Sequence, residues 1–230
     1  MTRQIVAMGG AQLRSETYDP RLNAFVLSLA RSERPRVCFV GTASGDSPEY
    51  VAHFYRAFSA HHVCEPSDLG LFERTVADLR AFVLAQDVVY VGGGNTASLL
   101  AVWRMHGLDA VLREAWEAGV VLCGVSAGMN CWFEASTTDS FDLTQLAGLR
   151  DGLGLLPGSA CPHYDGEEER RPLYRRLVAE EGFPPGFAAD DAAALVFDGV
   201  ELREVVTTAE GSTGYRVDAD GEVALAARLL

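Results

Sequence analysis

The run Gly124-Val125-Ser126-Ala127-Gly128 places a serine between two glycines, directly after the apolar, strand-like segment Val120–Cys123. The residues after the serine have a helical pattern. A serine on a sharp strand-to-helix turn is exposed for nucleophilic attack, and small neighbours two residues away let the strand and the helix approach each other. Backbone N–H groups at the start of the helix can stabilise an oxyanion. The run therefore predicts a nucleophile at Ser126.

A serine hydroxyl needs a base, usually a histidine, and a carboxylate that orients this base. His163 follows the strand-like or loop segment Gly158–Cys161, whereas the other histidines lie within helices or between a helix and a strand. Asp139 lies in a polar turn between the serine and His163 and is the first candidate for the orienting carboxylate. Asp190 and Asp191 directly precede an apolar strand and are the rival candidates.

A second glycine-rich turn, Gly92-Gly93-Gly94-Asn95-Thr96, connects an apolar strand to a helix. Backbone N–H groups in such a turn can bind an oxyanion or a phosphate. A dinucleotide site would need the pattern G-x-G-x-x-G and an acidic residue about 20 positions further on, and this run matches poorly. We therefore interpret the turn as the second half of an oxyanion hole.

The composition excludes several classes of protein. The 230 residues contain no lysine, so all 19 basic residues are arginine, which excludes Schiff-base chemistry and a nucleotide P-loop. The net charge of −13 at pH 7 repels nucleic acid phosphates. No apolar stretch is long enough to span a bilayer. We expect a soluble, cytoplasmic protein that binds neither nucleic acid nor membrane.

The chain has five cysteines, an odd number, and no C-x-x-C motif. Most of them lie in apolar runs, which predicts buried free thiols in a reducing compartment and not a disulfide framework or a zinc site. The five histidines show no metal-ligand spacing. We expect neither a metal nor an organic cofactor.

Short apolar runs alternate with helical patterns, which predicts βαβ units and a parallel sheet covered on both faces. The predicted strands are Ile5–Met8, Val37–Val40, Val63–Cys64, Val88–Val91 and Val120–Cys123. The predicted helices are Arg21–Arg31, Pro48–Ala60, Thr75–Leu84, Thr96–Met105, Asp109–Ala118 and Ala127–Phe133. After about residue 190 the pattern predicts two antiparallel hairpins, formed by Ala193–Phe197 with Val200–Val206 and by Tyr215–Val217 with Glu222–Arg228. Without a linker or a repeat, one domain over residues 1–230 is expected.

Four runs occur in an order and at a spacing that resemble the peptidase E family of serine peptidases, the aspartyl dipeptidases, to which cyanophycinase is related. They are Gly92–Thr96, Gly124–Asn130, Thr137–Asp139 and Pro162–His163. The resemblance covers residues 37 to 200 approximately. It implies a three-layer α/β sandwich with a mostly parallel sheet, related to class I glutamine amidotransferases, with serine in place of the cysteine nucleophile.

The resemblance also implies a role for each matching residue. Ser126 would be the nucleophile, His163 the base and Asp139 the orienting acid. The other residues that match the family pattern would form the oxyanion hole and bind the substrate. The oxyanion hole would be built from Gly93 or Gly94 with the N–H of Ala127, and the substrate would contact Asn95, Arg170, Arg171, Asp190 and Asp191. A small peptide would be the substrate, and a homodimer is compatible with the family.

The chain departs from the family pattern after His163, where it is shorter and reads Tyr164-Asp165-Gly166-Glu167-Glu168-Glu169. In peptidase E an arginine after the histidine recognises the aspartate side chain of the substrate. Arg170 is the best positional match and Arg171 the next. The alternative is that both arginines pair with Glu167–Glu169 on a solvated helix face.

These residues predict acyl transfer to Ser126 and then hydrolysis of a dipeptide or short peptide near its N-terminus, compatible with a preference for an acidic N-terminal residue. One alternative is an esterase of the α/β-hydrolase type. Only 37 positions separate Ser126 from His163, which leaves little room for the strands that intervene in that fold. The other alternative is a non-catalytic protein of the same fold that binds a small molecule.

Overall fold

The computed structural model describes residues 2–10 and 18–230. Within them the chain forms two sheets and a set of covering helices. The strands are β1 (Gln4–Met8), β2 (Arg36–Val40), β3 (Glu65–Asp68), β4 (Val88–Val91), β5 (Val121–Val125), β6 (Phe133–Thr138), β7 (Ala147–Leu149), β8 (Leu156–Cys161), β9 (Gly186–Ala189), β10 (Ala193–Asp198), β11 (Glu201–Thr207), β12 (Gly214–Asp218), β13 (Gly221–Ala224) and β14 (Ala227–Leu229). The helices are α1 (Arg21–Ser28), α2 (Pro48–His61), α3 (Leu79–Leu84), α4 (Thr96–His106), α5 (Leu108–Ala118), α6 (Ala127–Asn130) and α7 (Arg170–Glu180).

The first sheet has the strand order β14-β11-β10-β1-β5-β4-β2-β3. Strands β1, β5, β4, β2 and β3 run parallel, as the alternation of strands and helices predicts. Strand β10 is antiparallel to both β1 and β11, so the first predicted hairpin forms an antiparallel extension of this parallel sheet. The carboxyl ends of β1, β4 and β5 meet at one edge, which is where open α/β sheets bind ligands.

Alternation of side chains in β1 shows how this sheet is covered. Ile5 and Ala7 pack into the hydrophobic cluster formed with α3, α4 and α5, whereas Val6 and Met8 pack into the cluster formed with α1 and α2. All four side chains are fully buried, which is typical of a parallel strand between two helical layers. The predicted three-layer α/β sandwich is confirmed.

The second sheet has the order β13-β12-β9-β8-β6-β7 and mixes parallel with antiparallel pairs. Ala160 and Ala189 on one of its faces belong to the same core as α3, α4 and α5. On its other face, Tyr174 and Leu177 of α7 pack against Cys161 and Ala188. This sheet joins the main core. The sequence patterns predicted its hairpin β12–β13 and gave Gly158–Cys161, which lies in β8, as a strand-like or loop segment.

Two predicted elements near the sheet have different bounds in the structure. The helix after Ser126 ends at Asn130 instead of Phe133, because Phe133 already begins β6. The strand predicted at Val63–Cys64 is wrong, because these two residues form a bend; strand β3 begins directly after them and pairs with β2 at the edge of the first sheet.

Three further elements are shorter than predicted. Helix α1 ends at Ser28 instead of Arg31. Helix α3 begins at Leu79, where the side chain of Asp78 accepts a hydrogen bond from the Ala81 N–H at 2.9 Å and caps the helix. The strand predicted over Glu222–Arg228 is divided into β13, which completes the second hairpin, and β14, which crosses to the first sheet and pairs with β11.

The cysteines agree with the expectation from composition. All five cysteines are buried free thiols, as predicted. Among the residues that the structure describes, no helix combines the length and apolar character that crossing a membrane requires. In the same residues, no group of three histidine, cysteine or acidic side chains is arranged to hold a metal ion.

Candidate active site

Ser126 lies at the sharp turn between β5 and α6, with φ 58° and ψ −112°. This left-handed conformation is costly for a residue with a side chain and is typical of a nucleophile displayed on a strand-to-helix turn. A Cβ at Gly124 would overlap the backbone of Gly128, and a Cβ at Gly128 would overlap the carbonyl of Val91. Both flanking glycines are therefore required for the close approach that their spacing predicted.

His163 is paired with Asp191, whose Oδ1 lies 2.7 Å from the imidazole Nδ1. Both side chains are partly buried, with 19% and 36% of their surfaces exposed. An ionised carboxylate can only accept a hydrogen bond, so this contact places the proton on Nδ1. The other ring nitrogen, Nε2, is then left to accept a proton from a hydroxyl group.

The end of β1 positions both Ser126 and His163. The N–H of Ser126 donates to the carbonyl oxygen of Met8 at 3.1 Å, and the N–H of His163 donates to the carbonyl oxygen of Gly9 at 3.3 Å. Two consecutive residues of one chain segment thus anchor the candidate nucleophile and the candidate base at the same edge of the sheet. A Cβ at the next residue, Gly10, would overlap the imidazole of His163 and the carboxylate of Asp191, so glycine is required there.

Asp139 does not orient His163 in this structure, contrary to the first assignment from sequence. It follows β6 and borders a surface hollow together with Leu143 and Glu167. Within the described part of the chain, the carboxylate hydrogen-bonded to His163 is that of Asp191. The rival candidate takes this place because β10 pairs with β1, which brings the turn before β10 to the edge where His163 lies.

Two of the predicted oxyanion-hole residues, Gly93 and Ala127, adjoin Ser126, but the amide of Gly93 already has a partner. A Cβ at Gly93 would lie 3.2 Å from the Cβ of Ser126, so the Gly92–Gly94 turn packs against Ser126 at its central residue. The N–H of Gly93 donates to the hydroxyl of Tyr50 at 3.2 Å and would have to leave it to bind an oxyanion. Ala127 lies in the first turn of α6, where the helix itself does not use the amide.

Gly94 and Asn95 shape the same turn. Gly94 has φ 140°, and a Cβ there would overlap the backbone of Ala43. The side chain of Asn95, expected to contact the substrate, instead caps α4. Its Oδ1 accepts from the Ser98 N–H at 2.8 Å, and its Nδ2 donates to the carbonyl oxygen of Ser140 at 2.8 Å. Both the oxygen and the nitrogen of the Asn95 side-chain amide thus already have hydrogen-bond partners within the protein.

The Arg170 guanidinium is buried, with only 3% of the residue exposed. Its Nε donates to Glu167 at 2.6 Å, and its Nη1 donates to the carbonyl oxygen of Thr137 at 3.4 Å. The pairing with a glutamate is the alternative raised from the sequence, although the arginine is buried instead of solvated. This guanidinium is therefore part of the protein interior and is not presented to a ligand.

Arg171 is also engaged, in this case at the surface. Its guanidinium is ion-paired with Glu222 and lies over the rings of Tyr164 and Tyr215, 5.2 Å and 5.1 Å from their centroids. A guanidinium over aromatic rings gains cation–π attraction in addition to its ion pair. Neither arginine expected to recognise an acidic substrate side chain is presented without a partner.

Asp190, the neighbour of Asp191, is almost fully buried, with 2% of the residue exposed. Its Oδ2 accepts from the Thr213 N–H at 2.9 Å and from the Tyr215 hydroxyl at 3.2 Å. Burial raises the pKa of this carboxyl group above its ordinary value, because desolvation disfavours the charged form. Asp190 ties the turn before β10 to β12, a role that the sequence patterns did not indicate.

Comparison with known proteins places these residues in a family context. A family model described as peptidase family S51 matches residues 5–205. A relative from Bacillus subtilis, named uncharacterized peptidase YgaJ, is 48% identical over 216 residues, which cover 94% of this chain and 92% of the relative. The peptidase E of Shewanella denitrificans is 32% identical over 211 residues, covering 80% of this chain and 88% of that protein.

A solved structure supports the fold independently of close sequence similarity. The crystal structure of a peptidase from an acI-B1 Actinobacterium matches with a TM-score of 0.72 at 17% identity. The match covers 99% of this chain and 95% of that chain. The three-layer architecture is therefore shared with a peptidase of distant sequence.

Proposed function

The chain belongs to peptidase family S51 and is a serine peptidase, and from this premise we propose that it hydrolyses dipeptides or short peptides near their N-termini. The proposed reaction proceeds through an acyl-enzyme on Ser126. The observation that carries the proposal is the arrangement at the end of β1. There Ser126, which has a positive φ, and His163, which is paired with Asp191, are anchored by backbone hydrogen bonds to the carbonyls of Met8 and Gly9.

In the proposed first step, Nε2 of His163 accepts the Ser126 hydroxyl proton while Oγ attacks the carbonyl carbon of the scissile peptide bond. The C–N bond then breaks, and His163 passes the proton to the leaving amine. In the second step, water loses a proton to Nε2 of His163 and attacks the ester carbonyl. The bond to Oγ then breaks, His163 returns the proton to Oγ, and the acid is released. Asp191 holds the proton of His163 on Nδ1 and stabilises the imidazolium that forms in each step.

The negative charge that develops on the substrate carbonyl oxygen needs donors close to Ser126. We assign this task to backbone amides of the Gly93–Gly94 turn and of Ala127, which flank the serine from two sides. The loss of one such donor typically costs about 3–4 kcal/mol in the barrier. If Gly93 contributes, its N–H exchanges the Tyr50 hydroxyl for the oxyanion.

We further propose that the enzyme does not depend on an acidic side chain at the first substrate residue. Arg170 is buried against Glu167, and Arg171 is paired with Glu222, so neither presents an unpaired cation. The net charge of −13 also disfavours the approach of an anionic dipeptide. The substrate class is therefore a short peptide whose first side chain is neutral or basic.

A library of X-Leu dipeptides that includes Asp-Leu tests both parts of this proposal. We expect kcat/KM values for neutral or basic first residues to exceed the value for Asp-Leu. A strong preference for Asp-Leu would overturn the proposed specificity but leave the peptidase mechanism in place. A panel of p-nitrophenyl esters provides the comparison, since turnover of the esters without turnover of any dipeptide would contradict the peptidase assignment.

A further inference from the structure

The two turns that carry His163 and Asp191 are joined by reciprocal hydrogen bonds. The side chain of Asp191 contacts Nδ1 of His163 at 2.7 Å, and the backbone N–H of Asp191 donates to Oδ1 of Asp165 at 2.8 Å. Between these contacts, the N–H of Tyr164 donates to the carbonyl oxygen of Ala189 at 3.1 Å. Each turn therefore contributes an aspartate side chain that hydrogen-bonds to the other turn, and a backbone hydrogen bond also joins the two turns.

Both turns have backbone conformations that need external support. His163 has φ 53°, and Ala192, directly after Asp191, has φ 64°. A positive φ strains the backbone of a residue that carries a side chain, so such residues persist only where the surrounding structure fixes them. The turn that carries Asp191 also crosses from the second sheet to the first, since it connects β9 to β10. The hydrogen bond from Asp191 N–H to Asp165 fixes this crossing relative to the histidine.

We propose that Asp165 is a positioning residue that holds Asp191 against His163. This inference rests on the proposed function, in which that pair is the base of the hydrolysis and its orienting acid. Asp165 acts through the backbone of Asp191 and needs no contact with the substrate. A carboxylate is a strong acceptor for a backbone N–H, and the residue is close enough in sequence to His163 to set the spacing of the pair.

Two substitutions separate the acceptor from the charge. Asp165→Ala removes both, whereas Asp165→Asn keeps an oxygen that can accept from the Asp191 N–H. We expect Asp165→Ala to lower kcat by about 10- to 100-fold with little change in KM, because a misplaced base affects the reaction more than binding. Asp165→Asn should recover most of the loss. Equal losses in the two variants, or an unchanged kcat in Asp165→Ala, would overturn the proposal.

Proton NMR of the substrate-free protein gives a readout that does not depend on activity. The Nδ1 proton of His163, held by Asp191, should give a low-field resonance in the wild type and in Asp165→Asn. We expect this resonance to broaden or disappear in Asp165→Ala, because the pair is no longer fixed. A resonance unchanged in Asp165→Ala would contradict the positioning role. Absence of peptidase activity in the wild type would count against the proposed function alone.

Asp78→Ala is the matched control, since the Asp78 side chain also accepts a backbone N–H, that of Ala81, at 2.9 Å. This contact caps α3, outside the cluster of residues around Ser126. We expect Asp78→Ala to lower Tm without changing kcat or the His163 resonance. If Asp78→Ala lowered kcat as much as Asp165→Ala, the effect of Asp165 would be general destabilisation and the proposal would fail.

Discussion

At the scale of single residues, the site depends on positions where a side chain cannot be accommodated. Gly124 and Gly128 let β5 and α6 meet around Ser126, and Gly10 leaves room for His163 and Asp191. The first two glycines were evident from the motif, because their spacing around a serine has a known geometric purpose. Gly10 was not, because its neighbours come from segments more than 150 positions away in sequence.

The choice between Asp191 and Asp139 can be tested by replacing each with asparagine. We predict that Asp191→Asn lowers kcat by about 10³- to 10⁴-fold, because an amide can hold His163 in the wrong tautomer. Asp139→Asn is the matched control, since it makes the same chemical change at an aspartate that does not bond to His163 in the structure. The measurement is kcat on the best dipeptide of the library.

The reverse pattern, with full activity in Asp191→Asn and a large loss in Asp139→Asn, would return the orienting role to Asp139. The sequence left this choice open because both aspartates border a strand and both have polar neighbours. Only the pairing of β10 with β1 distinguishes them, and this pairing joins residues separated by most of the chain.

At the scale of elements, the turn before α4 connects the site to a surface loop. Asn95 caps the helix through Ser98 and holds the loop after β6 through the carbonyl of Ser140. The Ser140 hydroxyl accepts from the Ala97 N–H at 3.2 Å, so the loop and the helix start are joined twice. This contact supports the Gly92–Gly94 turn, which lies against Ser126.

Substitutions of Asn95 test how much these contacts contribute to the stability of the protein. We predict that Asn95→Ala lowers the free energy of unfolding by about 1 kcal/mol or more, because it removes the cap of α4. Asn95→Asp keeps the acceptor for the Ser98 N–H but loses the donor to Ser140, so its cost should be smaller. Urea unfolding of the three proteins gives the comparison, and an equal stability of all three would refute the capping role.

Elements with strong local signals were predicted well. Ser47 and Pro48 marked the start of α2, and the structure shows the Ser47 hydroxyl accepting from the Tyr50 N–H at 3.4 Å. The second sheet was largely missed because its strands lack long apolar runs; Ala147–Leu149 is an example. Strand β3, with the sequence Glu-Pro-Ser-Asp, has little β propensity and forms because β2 offers an unpaired edge.

At the scale of the whole molecule, one core extends across both sheets. Ala160 and Ala189 of the second sheet pack in the same cluster as Ile5 and Ala7 of the first. We predict that the protein unfolds in a single cooperative transition, with equal calorimetric and van't Hoff enthalpies. Differential scanning calorimetry is the measurement, and two resolved transitions would contradict the expectation of one domain.

Charge is the other property of the whole molecule that bears on function. The 32 acidic residues outnumber the 19 arginines, and the arginines expected to recognise the substrate are paired with glutamates. Composition gives the excess of negative charge but does not indicate which acidic residues pair with the arginines. Burial of Arg170 could not be predicted from its sequence neighbours, since a run of glutamates before arginines is typical of a solvated helix.

The central claim is that Ser126 is the nucleophile of a peptidase, and labelling with a fluorophosphonate tests it most directly. The probe phosphonylates an activated serine hydroxyl and releases fluoride, and mass spectrometry of peptides then locates the adduct. We predict a single adduct on Ser126 in the wild type, with loss of dipeptide hydrolysis, and neither labelling nor hydrolysis in Ser126→Ala. An adduct on another residue, or hydrolysis retained by Ser126→Ala, would contradict the account.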